Sequence, residues 1–254
     1  MDNQERDAVR SFYDKEAARY IATRYVGGGA DNLAWRARAD LVLEILGPAN
    51  GLVVDLGCGP GVLTPRLARQ AERVVCADLS LEMVREGRRA YGDSPSVAWI
   101  SCDIAHIPLR DATVDALLVI GVFGLAADPR AALAEFARVV APAGRLLLQV
   151  PNALSPRLRI ERRVKRVASH AAYEARLSQA SISPRPCAPQ TIEAMLRDAG
   201  FTPANRRFYD FRVPGLGQIS PAADASVSAA LHRRLTSRRR LGALGEGLVV
   251  EARR

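Results

Sequence analysis

The sequence predicts a doubly wound α/β fold with a mostly parallel, seven-stranded sheet, N-terminal helices and a cap-like insertion. Three observations carry this. Short β-branched apolar runs alternate with helix-patterned segments, as in successive βαβ units. Runs such as ALLVI (116–120) are apolar without alternation, which suits strands covered on both faces. The first strand of the series ends in a glycine-rich turn, VVDLGCGPG at 53–61, and open α/β sheets bind ligands outside the carboxyl ends of their strands.

The elements follow in order. Val9, Phe12, Tyr13, Ala17 and Tyr20 share one helical stripe, and Trp35, Ala39, Val42 and Leu46 share a second. Gly27–Gly29 separates the two. Strands are expected at Leu52–Leu56, Val74–Ala77, Val97–Ile100, Val114–Ile120 and Arg145–Val150. Ser80 can N-cap a helix over 81–90, with Glu82 and Glu86 towards its start. Leu133, Phe136 and Val140 mark a helix closed by Pro142 and Gly144. Residues 152–188 are arginine-rich, contain Pro156, Pro184 and Pro186, and read as an insertion with its own helix. Ile192, Leu196 and Ala199 line a later helix that Gly200 stops. Two final strands are expected in Phe201–Val213 and Gly247–Ala252.

Composition narrows the class. The chain has 254 residues, enough for one substantial core or a core plus a small cap. It is 48% hydrophobic and 25% charged, ordinary for a globular protein. No apolar run reaches the ~18 residues of a membrane span, and Met1–Arg10 is polar and of mixed charge. A cytoplasmic protein is expected. Cys58, Cys76, Cys102 and Cys187 show neither CxxC nor zinc-ligand spacing, so they read as small reduced thiols, and no metal site is expected.

The net charge of +9 attracts anionic partners in principle. Only Lys15 and Lys165 are lysines, and arginines are spread over helix faces, as at Arg36, Arg38, Arg66 and Arg69. Two concentrations remain, Arg157–Arg166 and His232–Arg240. Either reads as a solvated face or as a site for an anionic acceptor or membrane surface.

The turn carries the chemistry. Gly57, Gly59 and Gly61 allow a sharp bend and a close ligand approach. Asp55 stands two residues before the first of them. A second strand ends in Asp78, placed to accept from ribose hydroxyls. A third ends in Cys102-Asp103, placed to accept from an adenine amino group, with the Ile104 backbone beside it. The spacing is G-x-G-x-G, with Val62 where a dinucleotide site would carry its third glycine. Together these features favour an adenosine ligand without pyrophosphate.

These motifs resemble the class I S-adenosylmethionine (SAM)-dependent methyltransferases, Rossmann-like enzymes, and especially the small-molecule branch that includes the quinone-biosynthesis (type 11) methyltransferases. VVDLGCGPG resembles that family's first motif, VVCADLSLEMV (74–84) its ribose-binding motif, and CDIAHIPLRDATVDALLVIGVF (102–123) its adenine motif and fourth strand. APAGRLLLQVPN (141–152) resembles the fifth strand, and SFYDKEAARY (11–20) the N-terminal lid. The resemblance implies one domain over 1–254: helical lid 1–48, SAM-binding core 49–152, cap-like insertion 153–188 and C-terminal part of the sheet 189–254.

It also implies residue roles. Asp55, Gly57 and Gly59 would frame the methionine part of SAM, with Cys58 a small residue beside it. Asp78 would hold the ribose, and Leu79 and Met83 would pack near the adenine. Asp103 and Ile104 would read the adenine edge. Ile120 and Gly121 would sit below the cofactor, and Tyr13 and Tyr20 would close over it. Relatives carry a histidine after the fourth strand where this chain has Gly124-Leu125. That departure leaves His170, in the insertion, as the candidate general base, ahead of His106. Asn152 is a turn residue or an acceptor contact.

The implied activity is methyl transfer from SAM to an O, N or C atom of a small molecule, in natural-product, quinone or sugar biosynthesis, leaving S-adenosyl-L-homocysteine (SAH). The alternative is a nucleic-acid methyltransferase, motivated by the arginine content. The chain shows no RRM, KH or zinc-finger signature and lacks an Asn/Asp-Pro-Pro-Tyr-like segment after the fourth strand.

Overall fold

The computed structural model describes residues 2–26, 30–92, 94–167, 184–212, 216–235 and 244–254. Two helices come first, α1 (Asp2–Arg24) and α2 (Ala30–Leu46). The alternating part follows: β1 (Ala49–Leu56), α3 (Thr64–Gln70), β2 (Ala71–Asp78), α4 (Leu81–Tyr91), β3 (Val97–Ser101) and β4 (Val114–Ile120). A 3-10 turn at Phe123–Leu125 leads to α5 (Pro129–Val139), β5 (Val140–Pro151) and α6 (Pro156–Val167). The chain continues through α7 (Pro189–Asp198), β6 (Thr202–Tyr209), α8 (Leu216–Ile219), α9 (Pro221–Leu235) and β7 (Gly247–Arg253).

The strands form one seven-stranded sheet in the order β3-β2-β1-β4-β5-β7-β6. β1 to β5 pair in parallel. β7 runs antiparallel to both β5 and β6, so the sheet is mixed. The consequence is local. The first residue of β7, Gly247, lies opposite Pro151 at the end of β5 and Tyr209 at the end of β6. The start of one strand therefore joins the ends of its neighbours at the ligand-binding edge.

The unbroken apolar runs are explained by a core on each face. Leu117, Val119, Leu146 and Leu148 pack with Phe136, Ile192, Leu196 and Phe201. Their chain neighbours Leu118 and Leu147 pack on the other face with Val42, Leu46 and Leu67. Because alternate residues face opposite layers, every position must be apolar. No helix among the described residues is long and apolar enough to cross a membrane.

Local signals set the helix ends. Ser80 caps α4 by accepting from Met83 N at 3.1 Å. Asp128 caps α5 by accepting from Arg130 N at 2.9 Å and Ala131 N at 3.0 Å. Replacing Asp128 by alanine is expected to cost about 1 kcal/mol, checked by urea unfolding. The helix containing Leu133 and Phe136 ends earlier than its sequence pattern suggests. Val140 is already extended and opens β5, because Pro142 has no N–H to offer a continuing helix. Of the insertion, α6 and the return segment from Pro184 are described. Arg185 N donates to Gly124 O at 2.9 Å and Arg185 Nη2 to Ala126 O at 2.5 Å, pinning that return to the turn after β4.

Candidate functional site

A cavity of about 1160 Å³ opens over the carboxyl edge of the sheet, beneath α1. That is roomier than most single-ligand pockets (roughly 300–1,000 Å³). At one end lies the glycine turn. Gly57 N and Cys58 N both donate to Ala77 O, at 2.7 and 3.0 Å, tying the turn to β2. Gly57 and Gly59 have φ of 78° and 54°, a region that costs other residues about 1–2 kcal/mol. A Cβ on Gly57 would lie 2.6 Å from Val122 Cγ1, whereas one on Gly59 would meet nothing within 4 Å. Gly59 is thus the open wall of the turn.

Asp78 ends β2 and faces that wall. Its Oδ2 accepts from Gly59 N at 2.8 Å and its Oδ1 from Ser80 N at 2.9 Å. Burial pushes its carboxyl up to about 6, against the pull of these N–H groups. Ser80 Oγ donates to Asp14 of α1 at 2.5 Å, so α1 is bound to the tip of β2. Asp103, past the end of β3, accepts from Ala105 N at 2.9 Å and lies 3.8 Å from Arg6 Nη1 of α1.

The aromatic roof comes from the first two helices. Tyr13, Tyr20, Tyr25 and Trp35 form a chain of ring contacts with centroids 6.0, 5.7 and 4.6 Å apart, and all four line the cavity. Burial raises the phenols of Tyr13 and Tyr20, so both stay neutral donors near pH 7. Cys58 is also pushed up, mainly by burial, which makes it an inert thiol.

At the floor, Arg38 of α2 and Gln149 of β5 meet beneath Gly121. A Cβ on Gly121 would lie 3.2 Å from Arg38 Nη1 and 3.6 Å from Gln149 Oε1. Gln149 is 3% exposed, and its Oε1 has no hydrogen-bond partner among the described residues. Asp55 is 2% exposed. Burial, then Asp78, raise its carboxyl to about 7, opposed by Arg38.

Every residue named from the sequence as cofactor-binding lines this cavity except Asp55. Tyr13, Tyr20, Gly57, Cys58, Gly59, Asp78, Leu79, Met83, Asp103, Ile104, Ile120 and Gly121 come together from five separate segments. Asp55 is buried in β1 with its carboxyl near Asp78 and Arg38 in charge terms. His106 lines the cavity beside Asp103, while His170 lies outside the described residues. Asn152 is fully buried, donates to Gly245 O at 2.8 Å, a long-range contact, and accepts from Leu154 N at 3.0 Å, a turn contact. The glycine at 124 also has a physical reason. A Cβ there would lie 2.6 Å from Arg185 N, so the returning insertion takes the space a histidine side chain would need.

Sequence reasoning missed Arg38, Gln149, Tyr209, Asp210, Arg212 and Glu246, all of which line the cavity. Arg38 had a weak signal, a cation one turn from Trp35 on an otherwise apolar face. Gln149 had one too, a polar residue in the apolar run of β5; the rest had none, because they meet the site only through the strand ends around β7.

The comparisons agree with this geometry. The family described as methyltransferase domain matches residues 54–148. The fold and the glycine turn fit a methyltransferase domain over those residues. It is similar to the demethylmenaquinone methyltransferase of Clavibacter sepedonicus, 29% identical over 218 residues, covering 78% of this chain and 84% of that one. It is 37% identical over 123 residues to an uncharacterized 37.1 kDa protein in transposon TN4556 of Streptomyces fradiae, covering 47% of this chain. The chain spans 36% of that protein's length, and 61% of that of a Mycobacterium marinum demethylmenaquinone methyltransferase. Among solved structures, the magnesium protoporphyrin IX methyltransferase of Synechocystis PCC 6803 with bound SAH has a TM-score of 0.66 at 18% identity, covering 98% of this chain and 99% of that one. The complex of the Haloferax volcanii Trm112 methyltransferase activator with a putative methyltransferase gives a TM-score of 0.67 at 23% identity, covering 96% of each chain. At these identities the structures speak to the fold.

Proposed function

We propose that the protein transfers a methyl group from SAM to a small-molecule acceptor. The observation that carries the reading is the convergence of Asp78, Asp103 and the open wall at Gly59 on one cavity. The donor set fits the cofactor. Carboxylates face where an adenosine brings hydroxyl and amino donors, and Arg38 faces where the methionine part brings a carboxylate. Bound SAM supplies a methyl on a sulfonium, which leaves by in-line displacement.

The chain's own residues do the rest. Asp78 accepts from the ribose hydroxyls, and Asp103 with the Ile104 backbone reads the adenine edge. Leu79 and Met83 pack on the ring. Gly57, Cys58 and Gly59 leave room for the methionine part, with Ile120 and Gly121 below it. Tyr13 and Tyr20 close the roof and exclude water, so much of the rate comes from alignment, worth up to roughly 7–11 kcal/mol in well-oriented systems. In domain terms, 1–48 is the lid, 49–152 the cofactor core, 153–188 the cap and 189–254 the closing part of the sheet.

Nucleic acid is not the favoured acceptor. Many described arginines are held by neighbouring carboxylates, as in Arg66–Asp40, Arg85–Glu82, Arg89–Glu86 and Arg206–Glu193, which breaks up the basic surface a phosphate backbone needs.

Calorimetry with SAH tests the cofactor reading, and absence of binding ends it. Arg38→Met is expected to weaken SAH binding about 10- to 100-fold, from the loss of a charge-assisted hydrogen bond to the methionine carboxylate. An unchanged Kd would move Arg38 out of the site.

A further inference from the structure

We propose that Tyr209, Asp210, Arg212, Glu246 and Arg157 form the acceptor subsite, that it takes a small molecule reacting through a hydroxyl or amine, and that the Glu246 carboxylate receives the acceptor's proton. This rests on the SAM reading of the other end of the cavity.

The topology places the group. Because β7 runs antiparallel, Glu246 precedes its first residue at the carboxyl edge, beside the ends of β5 and β6. Glu246 N donates to Asp210 O at 2.9 Å, clamping the two acidic segments together. Two guanidiniums complete the set. Arg157 of α6 forks onto Glu246, with Nη2 2.7 Å from Oε2. Arg212 Nε donates to Asp210 Oδ1 at 2.8 Å. Glu246 is only 8% exposed. The Arg212–Asp210 pair is nearly buried, while Arg157 is a third exposed; a buried ion pair is costly to keep, and shifted carboxyls in a cavity mark candidate sites.

The chemistry of the acceptor follows from what the cavity lacks. Gln149 Oε1, buried beneath Gly121, has no donor among the described residues. A buried acceptor without a partner calls for an N–H or O–H, and an acceptor molecule bearing such a group supplies it. Val122, Leu125, Ala126 and Leu158 also line the cavity, so the polar group is expected on a compact apolar body.

Glu246, paired with Arg157, and Asp210 are the described lining carboxylates at this end of the cavity, and Glu246 is the one assigned the proton. Asp78 and Asp103 belong to the adenosine end, Asp128 caps α5, and Glu16 is held by Arg19. His106, the histidine found among the described lining residues, stands beside Asp103. Asp210 sits at a left-handed φ of 57°, held by Arg212. Burial raises the Glu246 carboxyl, Asp210 raises it further, and Arg157 and Arg212 oppose. Tyr209, up to about 12, stays protonated across the working range. In the step, a lone pair on the acceptor O or N forms the bond to the methyl carbon. The sulfur–methyl bond breaks with its electron pair to sulfur. The proton leaves O or N for a Glu246 oxygen and passes later to water.

The test uses the full chain, tritium-labelled SAM, and three probes: 3,4-dihydroxybenzoate, tyramine and glucosamine. Methyl groups on O or N of a product, located by NMR, support the proposal. Methyl on carbon, or no transfer to any probe by protein that binds SAH, overturns it. Glu246→Gln is expected to lower kcat about 10²-fold or more, with SAH affinity within about threefold, and to abolish the acid limb of the kcat–pH profile. Arg157→Gln keeps the carboxylate and guards against misfolding of the first variant. Losing the opposing cation moves its acid limb to higher pH. Profiles that coincide with the parent protein's overturn the role of Glu246. Loss of SAH binding by the parent protein would instead sink the cofactor reading.

Discussion

Asp78→Asn is expected to weaken SAH binding by about 10²-fold or more while leaving the chain folded. Both oxygens of Asp78 already accept backbone N–H groups, from Gly59 and Ser80, and the residue lines the cavity. The amide keeps one acceptor oxygen and turns an NH₂ towards a backbone donor. One ribose hydroxyl loses its acceptor, the other loses a charged one, and each charge-assisted bond contributes roughly 1.5–3 kcal/mol. The effect divides between affinity and local stability, because the turn loses an anchor to β2. Calorimetry with SAH and thermal unfolding separate the two. A variant with parental affinity would show that the adenosine lies elsewhere.

SAH affinity is also expected to fall by up to ~10-fold per pH unit on going below about pH 6. Asp78, raised to about 6, must be ionised to accept from the ribose, and Asp55, raised to about 7, adds its field only when ionised. Binding in the pH 6–7 window should therefore release protons, measurable by calorimetry in buffers of different ionisation heat. The stability of the unliganded chain should run the other way. Both carboxyls have folded pKa values above their unfolded ones, so their contribution is fully present below about pH 4 and is lost as pH rises through 6 and 7. On the order of a few kcal/mol is at stake for Asp55, which is buried beside Asp78 and stabilised by Arg38. Asp55→Asn should flatten that trend in Tm between pH 5 and 8. A flat profile in the parent protein would show that these carboxyls are not raised.

Both predictions concern residues visible as strand-end aspartates, and the reason is physical. A parallel strand buried on both faces is a run of apolar residues, and its end is where polar residues resume. Asp78 and Asp103 stand at such ends, and Gly57 and Gly59 stand where the backbone must turn left-handed. The helix caps at Ser80 and Asp128 are equally local, each closed within three residues. Such features need only the neighbouring sequence. The end of the α5 helix was misplaced by a residue because Val140 fits a helix stripe and a strand equally well, and pairing with Val114 decides between them.

By itself, then, the sequence determined the order of strands and helices, the glycine turn and the acidic strand tips, since period, turn geometry and capping act over a few residues. Only the tertiary structure decided that β7 runs against its neighbours, that Gly247 meets both Pro151 and Tyr209, and that Arg38, Gln149 and Glu246 share a cavity with those tips. Such meetings join residues up to some two hundred positions apart. They are set by how the two core layers pack on the sheet, and no short stretch of chain encodes that packing.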